Sequence, residues 1–212
     1  MMQMMAENEW CLFWHNAGAT GDNLRWRMNE AYYLWASAYA SLDGVYHFMQ
    51  HIDDCLVEYD QVPRLLEYLN EVKAALMYRD FVYDTHRHDN EQKSANIASN
   101  VAAGFWLPTF FSDCVKQHIL ATKHGVVPQD SDSKFVVDID LSILGKEKLV
   151  FDLYEEAIRK EYSWVPEEIY KAKRAEVLQG FLDRSTIYAT IFFRDKYQLQ
   201  AEKNIKRAIA QL

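Results

Sequence analysis

Long runs of the chain carry apolar residues at spacings of three and four, and this periodicity most restricts what the chain can fold into. The stretch RLLEYLNEVKAALMYR shows the pattern, with Leu65, Leu69, Val72 and Leu76 on one helical face. Only 7 glycines and 4 prolines interrupt the 212 residues. Strand-like alternation is scarce, and its best candidate, KFVV at 134–137, is too short to build a sheet. The pattern therefore predicts an all-α fold.

The periodic segments also give approximate helix positions. Helices are predicted at 22–40, 45–59, 63–79, 90–103, 108–122, 146–162, 166–182 and 198–212, with a short element at 138–144. Pro63 suits a first helical turn, and Asp89 followed by Gln92 has the spacing of a capping box. The polar segment KHGVVPQDSDS predicts a loop. We expect a single domain over 1–212, with residues 1–9 as a disordered N-terminus.

Composition restricts the class of protein. Half of the residues are hydrophobic, which is typical of a globular chain, and 31 acidic against 23 basic side chains give a net charge of −8. Such a chain is poorly suited to a broad phosphate-backbone footprint. The cysteines Cys11, Cys55 and Cys114 are scattered and favour a reducing compartment. No apolar run approaches the length of a membrane span, and MMQMMAENEW has no basic leader region. We therefore expect a cytoplasmic protein with neither nucleic acid nor a membrane as its partner.

Charged residues stand inside an apolar and aromatic frame in the stretch LMYRDFVYD. Arg79 and Asp80 are costly to bury there unless something binds them. Upstream, His47 and His51 in YHFMQHI are one helical turn apart and project from one helix face. That spacing suits two ligands on one metal ion, or one ligand and one substrate contact. Ordinary, partly buried histidines are the competing interpretation.

Two further carboxylates, Asp138 and Asp140, lie in the apolar segment VDIDLSILG just before a predicted helix. Acidic residues in this setting often cap helix N-termini. Together with His51 and Asp80, they also make the oxygen-and-imidazole ligand set that hard or borderline divalent ions use. The sequence leaves both interpretations open.

Seven segments, taken in order, resemble a known family. They are YHFMQHI, YRDFVYD, DNEQKSA, LATKH, VDIDLSILG, IRKEYSWVP and FLDRSTIY. The chain resembles the predicted metal-dependent phosphohydrolases of the HD superfamily, and more narrowly a small uncharacterised subfamily with YHxxxHI and HDxVYD-type segments. The resemblance runs from about Trp10 to Leu212 and implies an HD-domain-like helical bundle.

The resemblance also implies a set of site residues. A divalent metal ion (Mn, Mg, Ni, Zn or Fe) would be held by His51, Asp80 and Asp140, with Asp138 as the alternative to Asp140. The catalytic positions are Asp80, Glu91 and His124, and the substrate-binding positions are His47, Arg79, Lys123 and Arg159. Other basic positions of the subfamily match Arg174 and Arg184. For Arg159, Arg174 and Arg184, a structural ion pair to a carboxylate or a helix end is the competing interpretation.

Two positions depart from the family pattern. Arg79 stands where the doublet has its histidine, and a guanidinium stays protonated and has no lone pair for a metal. At about 5 Å and an effective dielectric of about 20, its charge repels a divalent ion by roughly 7 kcal/mol. Gly44 stands where the subfamily usually has an arginine. We therefore hypothesise that Arg79 takes over the role of the ion, neutralising Asp80 and Asp140 and contacting a phosphate oxygen.

Three functions follow from these features. The first is a metal-dependent phosphohydrolase that acts on a small phosphorylated metabolite or nucleotide, in which the metal lowers the pKa of a bound water. The alternative is a catalytically degenerate HD domain that binds an anionic ligand or a protein partner without turnover, and Arg79 favours it. The third is a helical interaction module whose contact surface is the aromatic-rich region 10–35.

Overall fold

The computed structural model describes residues 5–41, 49–123 and 128–212, and these ranges contain helices and turns but no strand. The α-helices, numbered along the chain, are α1 Glu7–Asn16, α2 Leu24–Ser41, α3 Met49–Tyr59, α4 Leu69–Tyr78, α5 Asn90–Gly104, α6 Thr109–Ala121, α7 Ser131–Asp140, α8 Lys148–Glu161, α9 Glu167–Leu182 and α10 Ile191–Ile209. Short 3-10 turns lie at Pro63–Leu65 and Leu141–Gly145. The predicted all-α fold is confirmed, whereas an HD-like arrangement of the helices stays a prediction. Within the described ranges, no helix is both long and apolar enough to cross a membrane.

The described residues divide into two compact units. Those up to Val136 form the first unit, and those from Val137 onward form the second, so the boundary falls inside α7. Each unit has buried aromatic residues of its own. The candidate metal ligands are thereby divided as well, because His51 and Asp80 belong to the first unit and Asp140 belongs to the second.

Aromatic side chains form the core of the first unit. Trp10, Trp14, Trp35 and Tyr78 are at most 1% exposed. Trp14 packs edge-to-face on Trp10, with ring centroids 5.7 Å apart, and on Phe105, at 5.2 Å. Such pairs stabilise a fold beyond the area that they bury. The aromatic-rich region 10–35 is therefore mostly core, although Trp26, Tyr33 and Leu34 on α2 are exposed.

The helix predicted at 63–79 is broken into a 3-10 turn and α4. Leu66 adopts an extended conformation with φ −95° and ψ 143°. The backbone N–H groups of Glu67 and Tyr68 then donate to the carboxylate of Asp132, at 3.0 and 2.7 Å. Asp132 is buried and lies on α7. A distant carboxylate therefore satisfies the N–H groups of the two residues that precede α4.

Several other details of the sequence prediction are wrong. The segment KFVV lies inside α7 and is helical, and residues 7–9, expected to be disordered, form the first turn of α1. Asp89 occupies the N-cap position of α5, but its side chain makes no capping hydrogen bond. Its carboxylate instead accepts from Arg87 at 2.8 and 2.9 Å. These hydrogen bonds from Arg87 hold the pKa of the Asp89 carboxyl well below its usual range.

In the second unit, the 3-10 turn Leu141–Gly145 packs closely against α10. A Cβ atom on Gly145 would lie 2.5 Å from the Cβ of Tyr197, so only glycine allows this approach. The side-chain amide of Asn204 donates to the carbonyls of Leu144 and Lys146, at 2.9 and 2.8 Å. Because Asn204 is fully buried, these two bonds tie the turn to the helix.

Candidate functional site

The end of α4 places Arg79, the residue that departs from the family pattern, inside the first unit. Two side chains of α2 hold this end, since the indole N–H of Trp35 and the hydroxyl of Tyr39 both donate to the carbonyl of Met77, at 2.8 and 3.0 Å. All of these residues are buried, and Arg79 itself is only 4% exposed. Burial raises the pKa of the Tyr39 hydroxyl, and the nearby charge of Asp80 raises it further. Tyr39 therefore stays protonated and keeps its hydrogen bond.

The guanidinium of Arg79 contacts His51 and Cys55 on α3 and the neighbouring Asp80. It hydrogen-bonds the Nε2 of His51 and approaches the Sγ of Cys55 at 3.6 Å. Its other terminal nitrogen forms an ion pair with the Oδ2 of Asp80 at 3.1 Å. His51 and Cys55 are one turn apart on α3, and both are buried. Arg79 therefore joins two of the predicted metal ligands, His51 and Asp80.

The protonation state of His51 follows from these contacts. Because a guanidinium has donors and no acceptor, Arg79 donates and the Nε2 of His51 accepts. The imidazole is therefore neutral, with its proton on Nδ1, and Nδ1 lies 3.9 Å from the Sγ of Cys55. The nitrogen lone pair that a metal ion would need is already engaged.

The contacts of Arg79 oppose a divalent metal ion at His51 and Asp80. Metal ligation requires the free lone pair of a neutral histidine and an unneutralised carboxylate. Here the lone pair of His51 and the charge of Asp80 both face the same guanidinium. A doubly charged ion close to Arg79 would in addition be repelled by roughly 7 kcal/mol at about 5 Å, for a dielectric of about 20.

The turn that follows Arg79 is tied to α5, which carries Glu91. The backbone N–H of Val82 donates to the hydroxyl of Ser94 at 2.9 Å, and the amide of Asn90 donates to the carbonyl of Asp84, also at 2.9 Å. Glu91 lies half-buried in the first turn of α5. Its place on a helix anchored to this turn keeps it a candidate for contact with a ligand.

Asp138, the alternative metal ligand, has a structural role in the second unit. Its carboxylate accepts from the N–H of Ala189 at 2.8 Å and from both the N–H and the hydroxyl of Thr190 at 2.7 Å. Thr190 is the N-cap of α10, and its hydroxyl accepts from Phe193. Burial raises the pKa of Asp138, and the hydrogen bonds from Thr190 oppose this shift. Asp138 thus lies inside α7 and holds the residues just before α10, so it does not cap the helix that follows it in sequence, and α10 begins at Ile191 rather than near Gln198.

The predicted basic positions of the second unit differ in their surroundings. Arg174 forms a bidentate ion pair with Glu155, at 3.1 and 2.5 Å, and Arg184 stacks over Phe181 at 4.7 Å. Arg159 donates to the carbonyls of Tyr162 and Val165. Arg174 therefore has the carboxylate partner, and Arg159 the helix-end partner, that the structural interpretation named.

The other predicted site residues are divided by location. Asp140 is the last residue of α7 and is half-buried, and Lys123 is exposed just after α6. His47, His124 and the departure at Gly44 lie outside the described residues. The structure thus brings together His51, Arg79 and Asp80, and this cluster is the candidate site.

Sequence reasoning missed two polar residues that the structure buries. Cys55 completes the cluster, and its position one turn after His51 was the available signal. His118 on α6 is buried, and its Nδ1 lies 2.8 Å from the hydroxyl of Ser133 on α7. Burial lowers the pKa of His118. His118 therefore stays neutral and links two helices of the first unit.

The comparisons with known proteins identify no relative. Neither a family model, nor a curated protein, nor a solved structure matches the chain. The HD resemblance therefore remains a prediction made from the seven sequence segments.

Proposed function

We propose that this chain is a degenerate HD-like domain that binds an anionic, phosphorylated small molecule without hydrolysing it. The observation that supports this proposal is that the guanidinium of Arg79 is hydrogen-bonded to His51 and ion-paired with Asp80. The resemblance assigns both partners to the metal. Without a metal ion to lower the pKa of a water molecule, the residues of this cluster supply no activated nucleophile for phosphoester hydrolysis.

The chemistry of Arg79 supports an anionic ligand. A guanidinium matches the geometry of a phosphate group and forms charge-assisted hydrogen bonds with it. The side chain of Asp80 keeps 16% of its surface exposed, against 4% for Arg79, so the carboxylate lies at the accessible edge of the cluster. A phosphate group would enter at this edge and displace the carboxylate of Asp80 from its ion pair with Arg79.

A binding and turnover experiment tests this proposal. Nucleotides and sugar phosphates are titrated against the full chain in EDTA and followed by thermal shift, and phosphate release is measured with manganese, nickel or magnesium. We expect at least one ligand to raise the melting temperature equally with and without metal, and no release above the protein-free rate. Arg79→Gln should abolish the shift.

Arg87→Gln is the matched control, because Arg87 forms its ion pair with Asp89 in an exposed position close in sequence. Its ligand response should equal that of the unmodified chain. Metal-dependent phosphate release that EDTA suppresses would favour the hydrolase instead. A panel in which no phosphorylated compound binds would contradict the proposal.

A further inference from the structure

A cavity of about 390 Å³ lies among α8, α9 and α10 in the second unit. Its apolar floor comes from Phe151, Tyr170, Ala208 and Leu212. Charged side chains, among them Glu156 and Arg159, form the remaining wall. This volume and this mixture of an apolar floor with a few polar groups are typical of small-molecule sites.

Arg159 is held in the cavity wall by neutral partners. Its guanidinium donates to the carbonyl of Tyr162 at 2.7 Å and to that of Val165 at 3.2 Å. It also stacks over the ring of Tyr170, with 4.6 Å to the ring centroid. These contacts use two of five N–H donors. Neither carbonyl carries a formal charge, so the cation is fixed in place but not neutralised.

The other carboxylates of the wall already have cationic partners. Asp152 pairs with Lys148 and Arg207, and Glu155 pairs with Arg174. Glu167 pairs with Lys171 at 3.1 Å. In the part of the chain that the structure describes, the exposed Glu156 has no such partner.

Within the described residues, neither Glu156 nor Arg159 of the cavity wall forms an ion pair within 4 Å, with each other or with another side chain. Glu156 and Arg159 are on the same side of α8, where side chains one turn apart are about 5–6 Å from each other at Cβ. A simple anion would be attracted by Arg159 but repelled by Glu156. A simple cation would be attracted by Glu156 but repelled by Arg159. A ligand that carries both charges close together satisfies both residues.

We propose that this cavity binds a small zwitterion, an α-amino acid with an apolar side chain. Its carboxylate accepts hydrogen bonds from Arg159, and its ammonium group donates to Glu156. The apolar side chain lies against Tyr170 and Leu212 of the lining. Charge-assisted hydrogen bonds of this kind are stronger than neutral ones and fix the orientation of the ligand.

Ligands that lack one charge test the proposal directly. The full chain is titrated calorimetrically with L-leucine, with 4-methylpentanoate, which lacks the amine, and with 3-methylbutylamine, which lacks the carboxylate. We expect leucine to bind at least tenfold more tightly than either analogue. Equal binding of the three compounds, or no binding of leucine or phenylalanine at millimolar concentration, would overturn the proposal.

Two variants test the assigned residues. Arg159→Gln and Glu156→Gln should each weaken leucine binding at least tenfold, and Glu156→Gln should fold normally because Glu156 is exposed. Lys173→Gln and Glu176→Gln remove an exposed ion pair of α9 and serve as matched controls that should bind as the unmodified chain does. If Arg159→Gln does not fold, the leucine affinity of Glu156→Gln tests the proposal alone. Unchanged leucine binding in Glu156→Gln would contradict the assignment.

Discussion

Arg79 in the first unit and Arg159 in the second are both held by short contacts at the end of a helix, yet their charges meet different partners. The guanidinium of Arg79 is buried and faces the carboxylate of Asp80 together with His51 and Cys55. The guanidinium of Arg159 faces two carbonyls and an aromatic ring. The charge of Arg79 is paired inside the fold, so a ligand must displace Asp80 to reach it, whereas the charge of Arg159 has no carboxylate partner among the described residues.

The difference shows that the residue type alone does not tell a structural arginine from a binding one. A buried charge must be paired, because desolvation otherwise costs several kcal/mol. At the edge of a cavity, water screens the charge and no internal carboxylate is needed. The Arg79 cluster should therefore depend on its charge for stability as well as for binding, whereas the Arg159 cavity should depend on its charge mainly for binding.

The largest expected difference between the two regions is in the free energy of unfolding that is lost when each arginine charge is removed. Arg79→Met leaves Asp80 and His51 without their partner and should lower the free energy of unfolding by about 3 kcal/mol. Arg159→Met loses two hydrogen bonds and a cation–π contact but keeps its apolar stem, and about 1.5 kcal/mol is expected. Urea unfolding of both variants measures the difference. Equal losses would mean that the two environments are energetically alike.

Substitution of Arg79 or Arg159 by histidine should show a second difference between the two regions, in their affinity for metal ions. Arg79→His removes the repelling charge and adds an imidazole beside His51 and Asp80, so we expect binding of zinc or manganese to tighten by about 30-fold, or about 2 kcal/mol. Calorimetry in metal-free buffer measures it. Arg159→His is the matched control and should gain nothing. Tight metal binding by the unmodified chain would show that Arg79 does not exclude the ion.

The smallest expected effect concerns pH. Burial, and then the charge of Asp54, raises the pKa of Asp53 on α3 from 3.8 to about 6. The folded state therefore holds this proton more tightly than the unfolded state, and stability falls as the pH rises from about 4 to about 6. After solvent screening, the loss is about 1 kcal/mol.

Asp53→Asn should reduce the difference in unfolding free energy between pH 4 and pH 7, as measured by urea unfolding at both values. Glu156→Gln removes an exposed carboxylate from the other region and is the matched control. A pH dependence of Asp53→Asn that equals that of the unmodified chain would contradict this interpretation.

The positions of most helices were predictable, because an apolar face repeats within each segment. The predicted helices at 90–103 and 166–182 correspond closely to α5 and α9. The errors arise where a distant residue changes a helix end. Asp132 accepts from the N–H groups just before α4, and Asp138 accepts from those just before α10. A local pattern carries no information about a partner so far along the chain.

The candidate site was predictable only in part. Spacing indicated His51, and the charged pair in an apolar frame indicated Arg79 and Asp80. For Cys55 the signal was only its position one turn after His51, which is weak because a single cysteine on a helix is usually just a small apolar residue. The free charge of Arg159 was equally hidden, because its partners are carbonyls and every residue has one.

The sequence by itself determined that the chain is helical and where most of its helices lie, because helix formation depends on neighbours three and four residues away. It also determined that an arginine stands between aromatic residues, where a charge needs a partner. Only the tertiary structure decided which partner each arginine has. The choice between a paired cation and one without a carboxylate partner depends on burial and on side chains from other helices, and these come together only when the helices pack.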